Sequence, residues 1–198
     1  MTQLTTASNL TEPVLPRGAG RVLGRWMLSF AGYPLGGYAA YLLTGRVDSP
    51  GPALAGGLLT GAVLGATQAW AIGQPLPRPV VWTLATAVGL MTGVAAGAAL
   101  VDYRTDLASL VTQGAVTGAL VGAAQAVVLV PRLGALALVW PFLLAGTFAV
   151  GWAVTTSAGI DVGLQFTLFG SSGALTATLL TAVLPVLLDR VHAAERAS

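Results

Sequence analysis

Cysteine and lysine are both missing from this 198-residue chain, histidine occurs once, and charged side chains make up only 8% of it. Each shortage excludes a class of chemistry. Without cysteine there is no disulfide, no thiolate metal centre and no cysteine nucleophile. The one histidine, His192, sits in a polar tail, which removes bis-histidine haem and most histidine-based metal or acid–base chemistry from the apolar part. All nine basic residues are arginine, a bias expected of a GC-rich bacterial genome. They form no basic run, and with a net charge of only +2 the chain is not expected to bind nucleic acid. A soluble domain carries about a quarter of its residues as charges to dress its surface. This chain has too few to do so.

What it has instead is apolar length. Hydrophobic residues make up 55% of the chain, and mean hydropathy is +0.80. A hydrocarbon core about 30 Å thick takes about 20 apolar residues at a rise of about 1.5 Å each. Six runs reach that length, at 22–43, 53–73, 80–101, 107–130, 133–156 and 162–188. The breaks between them are short and polar: "TGRVDSPGP", "GQPLPRP", "DYRTD", "PR" and "SAGID". None of the runs has the polar face that a helix of a soluble core would show. Pro34 and Pro141 fall inside runs, where neighbouring helices satisfy the backbone groups that proline frees.

The expected class is therefore all-α: a polytopic bundle of six transmembrane helices in the plasma (inner) membrane of a bacterium, with the lipid bilayer as partner. Arginine is retained on the cytoplasmic side of a span. With the first span entering from the cytoplasm, that side holds Arg17, Arg21, Arg25, Arg78, Arg132, Arg190 and Arg196, against Arg46 and Arg104 outside. Both termini are thus expected inside. Residues 1–21 read as a flexible cytoplasmic tail, 22–190 as the membrane domain and 191–198 as a second cytoplasmic tail. The first run is longer than the apolar stretch of a signal peptide, and no small-x-small cleavage site follows it.

The sequence also repeats itself. "GLLTGAVLGATQAW", from Gly57, is nearly rewritten 57 residues later as "GAVTGALVGAAQAV", from Gly114. Trp26, Trp82 and Trp140 open the first, third and fifth runs, each followed eleven residues on by Gly37, Gly93 or Gly151. Eleven residues turn a helix by about 1100°, about 20° from a whole number of turns, so each pair shares a face. An outer-side acid follows, Asp48, Asp106 or Asp161, and twelve or thirteen residues later a Gly-Ala pair at Gly61, Gly118 or Gly173. The chain reads as three tandem two-helix hairpins, at about 22–75, 78–131 and 133–188. Each holds an even number of spans, so all three are parallel and should pack with pseudo-threefold symmetry about the membrane normal. A tryptophan at the start of each first helix suits the headgroup boundary and reads as an interfacial anchor.

Gly57, Gly61 and Gly65 recur at every fourth residue, as do Gly89, Gly93 and Gly97, and Gly114, Gly118 and Gly122. Lipid tails are as apolar as leucine, so helices in a bilayer gain chiefly by close backbone approach through small residues. These rows read as helix-packing seams of the glycine-zipper kind, with a glycine-lined pore or a slot for a flat ligand as the alternative. Gln68 and Gln125 share a face with the first glycine of their rows and so point at a neighbouring helix. An amide in hydrocarbon must find partners. Two readings stand: interhelical hydrogen bonds that set register, or ligand contacts in a cytoplasm-facing cavity. The third hairpin has Leu180 at the matching place, so no ring of three glutamines is expected.

No acid, base or histidine falls in the middle of any run. That argues against ion-coupled carriage and against an enzyme, so no catalytic residue, metal site or cofactor is expected. Asp48, Asp106 and Asp161 read as loop and cap residues, with an acidic ring at a mouth or a bound cation as the alternative.

The string Gly-x3-Gly-x3-Gly-x2-Gln, followed by Pro-Arg and a Trp-led helix ("GLLTGAVLGATQAWAIGQPLPRPVVWTLATAVGLMTG"), resembles uncharacterised bacterial multi-pass membrane proteins that repeat a similar hairpin. In those the glutamine is followed at once by tryptophan, whereas Ala69 and Ala126 intervene here. The likeness is strongest over 57–130 and implies a multi-pass fold but no activity. The three-hairpin plan is also similar to that of mitochondrial carriers, whose units are nearly twice as long and carry a Pro-x-acid-x-x-base signature that is absent here, so that kinship is rejected.

The expected function is that of a structural or accessory subunit of a membrane assembly, packing against itself as a homo-oligomer or against another membrane protein. The alternative is a channel or uniporter for a small neutral or weakly polar solute, with Gln68 and Gln125 in its path. A wet cavity reaching both glutamines favours the second reading, and a closed seam favours the first.

Overall fold

The computed structural model describes residues 18–76 and 78–197, and every regular element among them is a helix. Most of the expected N-terminal tail, 1–17, lies outside the described residues. Four helical stretches are long and apolar enough to cross a membrane: Pro50–Ile72, Pro79–Leu100, Leu107–Ser157 and Ser171–Arg196. The third folds back on itself as two helices.

Proline and glycine set the ends of the elements. Helix α1 (Ala19–Leu28) passes through a 3-10 turn (Ser29–Ala31) into α2 (Gly32–Thr44). Helices α3 (Pro50–Ile72) and α4 (Pro79–Leu100) each begin on proline, where the missing N–H is one the helix would leave unpaired. Helix α5 (Leu107–Leu133) starts from an Asp106 cap and leads through a 3-10 stretch (Gly134–Val139) into α6 (Trp140–Ser157). Helices α7 (Ser171–Leu180) and α8 (Val183–Ala197) follow. A proline ring inside a helix collides with the carbonyl four residues earlier. Phe30, in the first 3-10 turn, and Thr181, in the break between α7 and α8, stand four residues before Pro34 and Pro185. The chain leaves α2 and α3 through Gly45 and Gly73, whose φ angles of +78° and +69° favour glycine.

The glycine rows are where neighbouring backbones meet. A Cβ on Gly57 would lie 2.6 Å from the Leu90 carbonyl oxygen, one on Gly61 2.6 Å from Ala87 Cα, and one on Gly65 2.8 Å from Thr83 Cα. Moving forward along α3 thus moves backward along α4, which makes the pair antiparallel. Gly89, Gly93 and Gly97 of α4 meet Val121, Thr117 and Gln113 of α5 in the same way. Gly114, Gly118 and Gly122 of α5 meet Phe148, Leu144 and Pro141 of α6. At these positions any side chain would force the helices apart, so glycine sets the interaxial distance.

Polar links close the ends. The Arg25 guanidinium lies 4.9 Å from the centre of the Trp70 ring and donates to the Trp70 carbonyl, holding α1 against the last turn of α3. Arg132 of α5 pairs with Glu195 at 2.6 Å, so the expected second tail at 191–198 is, through Ala197, the end of α8.

Two expectations change. Trp26, Trp82 and Trp140 are not anchors displayed at a headgroup boundary, because they are 1%, 0% and 7% exposed and packed between helices. Two of them find partners for the indole N–H inside, Trp26 on the Thr178 carbonyl at 2.9 Å and Trp140 on Gln125. The run 162–188 is not one continuous helix either. Its first part is a 3-10 turn (Val162–Leu164), a left-handed Gln165 with φ +49° and an irregular segment up to Gly170. Non-helical backbone is tolerated at membrane depth only when protein covers it. Thr167, Leu168 and Phe169 of this segment are buried accordingly.

The packing makes a paired prediction. Gly118→Ala drives a methyl group into the Leu144 carbonyl and is expected to cost about 1–3 kcal/mol. Gly146→Ala on the neighbouring α6, where a Cβ meets nothing within 4 Å, should be neutral or stabilising by up to about 1 kcal/mol. Unfolding of the two variants in mild detergent checks the contrast.

Candidate functional site

The two glutamines marked by the glycine spacing meet in the centre of the bundle. Gln68 on α3 and Gln125 on α5 are 7% and 2% exposed, and Gln125 Nε2 stands 3.4 Å from Gln68 Oε1. The same nitrogen donates to Thr86 Oγ1 on α4 at 2.9 Å, and that hydroxyl donates to the Trp82 carbonyl at 2.9 Å. Gln125 Oε1 accepts the indole N–H of Trp140 at 2.7 Å. An indole N–H can only donate, so this bond decides which end of the amide faces α6. One side chain thereby links α3, α4, α5 and α6. The void bounded by Trp26, Leu64, Gln68, Gln125 and Trp140 measures about 10 Å³. That is about the space of a single water.

The opposite end is closed by a residue whose role spacing did not reveal. Gln165 Oε1 accepts from Arg46 Nε at 3.1 Å, its Nε2 donates to the Tyr103 carbonyl at 2.9 Å, and its own carbonyl accepts the Val47 N–H at 3.0 Å. It therefore ties together the α2–α3, α4–α5 and α6–α7 connections. The space beneath, beside Gln113 and Trp152, is again about 10 Å³.

The three acids expected on the outer side stay in their own turns. Asp106 caps α5, accepting from Ser109 N at 3.0 Å and Ser109 Oγ at 2.6 Å. Asp161 accepts from Gly163 N at 2.8 Å, and Asp48 from Ser49 Oγ at 3.2 Å. No group of three or more acids or histidines placed to hold a metal ion occurs among the described residues. The Ser109 hydroxyl and then the Ser109 backbone N–H, helped by nearby Arg104, hold the Asp106 carboxyl below the usual aspartate range.

A larger space lies elsewhere, between α2 and the segment that leads into α7. This cavity of about 370 Å³ is lined by Tyr33, Gly37, Trp152, Thr155, Phe166 and Phe169 among others. Tyr33 stacks on Phe169, with ring centres 5.6 Å apart, and Trp152 meets the same ring edge-on at 6.1 Å. No glycine row brings α2 and α7 together: Gly36 faces Thr60 of α3, Gly173 faces Gly151 of α6, and a Cβ on Gly37 would meet nothing within 4 Å. Sequence reasoning singled out the glutamines but not this cavity, which forms because 162–170 is irregular where a helix was expected.

The architecture defines a class: among the described residues every regular element is helical, and four helical stretches are suited to a bilayer. Comparison with models of protein families, with curated proteins and with solved structures finds no match for the chain.

Removing the central amide tests its role. Gln125→Leu strands the Trp140 N–H and breaks the links to Thr86 and Gln68, for an expected loss of about 1–3 kcal/mol. Gln68→Leu removes one long contact and should cost less than its partner, measured by unfolding in detergent. For Asp106, whose folded pKa is lowered, the sign is that of a stabilising carboxylate: its contribution is present above about pH 4 and fades as pH falls through the folded value. Acid melting curves should show native protein losing its advantage over Asp106→Asn in that window.

Proposed function

We propose that the chain is a six-span bundle with both termini in the cytoplasm, built from three parallel hairpins about a pseudo-threefold axis in a bacterial plasma membrane. Its role there is that of a structural or accessory subunit of a membrane assembly, without catalytic chemistry of its own. The observation that carries this reading is the sealed centre. A conduit for a small neutral solute needs a continuous wet path past Gln68 and Gln125, and the space beside them measures about 10 Å³. The Gln125 amide hydrogens and carbonyl are engaged by Gln68, Thr86 and Trp140, leaving little with which to greet a solute.

The hairpin plan is supported by like contacts: the row from Gly57 to Gly65 packs on α4 as the row from Gly114 to Gly122 packs on α6. The orientation is supported by Arg25, Arg78 and Arg132, which gather at the end where α3 and α5 finish. Leu35, Leu42, Val127 and Phe142, all exposed, give the outside the apolar character that lipid or a neighbouring subunit would cover.

The test uses the full chain in liposomes and in mild detergent. Glycerol and urea should enter protein-containing vesicles no faster than empty ones, and native mass spectrometry should find a stoichiometric complex with a second copy or another membrane protein. Protein-dependent solute entry that Gln125→Leu changes, or a strictly monomeric chain, would overturn the reading.

A further inference from the structure

The cavity between α2 and the start of α7 has the features of a binding site, and it holds donors that lack an acceptor. Many threonines elsewhere return their hydroxyl hydrogen to the carbonyl four residues earlier, as Thr86, Thr92, Thr117, Thr156 and Thr178 do. Thr155, which lines the cavity, does not. It is 1% exposed, and its Oγ1 has no hydrogen-bond partner. A buried hydroxyl left in this state is destabilising. Beside it the ten-residue α7 begins at Ser171, on the cavity wall, with no side chain capping its first turn. The free N–H groups of a first turn make a positive end that attracts an electron-rich atom. Ser172, in the same turn, also has a buried hydroxyl without a partner. Hydroxyls and backbone N–H groups with nothing to donate to call for an acceptor.

The surroundings decide what kind of acceptor. Among the described residues that line the cavity, Asp161 alone is charged, and it is an exposed acid already accepting from Gly163 N. No cation is there to balance a carboxylate or phosphate, so a neutral oxygen is favoured over an anion. The remaining wall is apolar and largely aromatic, and about 370 Å³ falls within the usual range of small-molecule sites, about 300–1,000 Å³. Tyr38, on the α2 side, is 59% exposed on the outer surface of the bundle, which gives access from the surrounding lipid.

We infer that this cavity binds a neutral, lipid-soluble molecule through a carbonyl oxygen, which accepts from Thr155 Oγ1–H and the first turn of α7 while its apolar body lies against Tyr33, Trp152 and Phe169. A membrane quinone and the acyl ester of a bilayer lipid share that chemistry. The inference stands on the cavity itself and holds whether or not the chain acts as an accessory subunit.

Trp152 on the cavity wall supplies the signal. Purified full-length protein in detergent is titrated with decylubiquinone and, separately, with a phosphatidylcholine carrying brominated acyl chains; both quench tryptophan on contact. At least one should quench saturably, the first identifying a quinone and the second a lipid ester as the source. Gly37→Leu, which extends into the cavity from a position where a Cβ meets nothing within 4 Å, should abolish the saturable part with the fold retained. Thr155→Val should weaken binding by about two- to tenfold without lowering the melting temperature. Decylbenzene, which has no acceptor, should compete poorly. Absence of saturable quenching with both probes, quenching that Gly37→Leu leaves intact, or equal competition by decylbenzene would overturn the assignment.

Discussion

A hydrocarbon solvent gives two apolar helices little reason to leave it for one another, because their side chains are as well solvated by lipid as by protein. Association then depends on how closely backbones approach, and that distance is set by the smallest residues on the facing surfaces. In this chain the rows at Gly57, Gly89 and Gly114 bring α3 to α4, α4 to α5 and α5 to α6 until a single added Cβ would overlap neighbouring main chain. Much else follows from that contact. It places Gln68, Thr86, Gln125 and Trp140 within hydrogen-bond reach of one another, and it leaves beside them a space of only about 10 Å³.

The same rule explains where the bundle is loose. Between α2 and α7 no glycine meets backbone, and the first part of the sixth apolar run is not helical. The aromatic-walled cavity of about 370 Å³ opens at this seam. The irregular segment that borders it also carries Gln165, whose side chain and main chain bind three connections at one end of the bundle. The segment thus closes the end of the molecule and, by delaying the start of α7, leaves an uncapped first turn beside Thr155. The two proposals made for the protein draw on different parts of this arrangement: the accessory role on the sealed centre, the neutral carbonyl ligand on the open seam.

Much of the helical plan was legible in the residues. Apolar length located the helices, and the runs expected to begin at 53 and 80 start in the structure within three residues of those positions, at Pro50 and Pro79. The eleven-residue spacing from glycine to glutamine put Gln68 and Gln125 on inward faces, and both are buried. The tryptophans were misjudged for a physical reason. An indole has an apolar body and one donor, so a wet interface and a buried seam with a waiting acceptor suit it equally, and sequence position does not say which is at hand. Gln165 gave no signal, since its role rests on a left-handed backbone, with φ of +49°, that no spacing encodes for a non-glycine residue.

Composition and spacing by themselves determined that the chain is helical and apolar, that charge is confined to its ends and connections, and that glycine recurs on particular faces. Those properties are local: they depend on rise, turn angle and solubility of side chains near one another in sequence. Only the tertiary structure decided that Gln125 would be satisfied by Thr86 and Trp140, and that Thr155 would keep an unpartnered hydroxyl. Hydrogen bonds between helices and the voids left between them depend on which surfaces meet and how closely, and distances of that kind are set only when the whole bundle has packed.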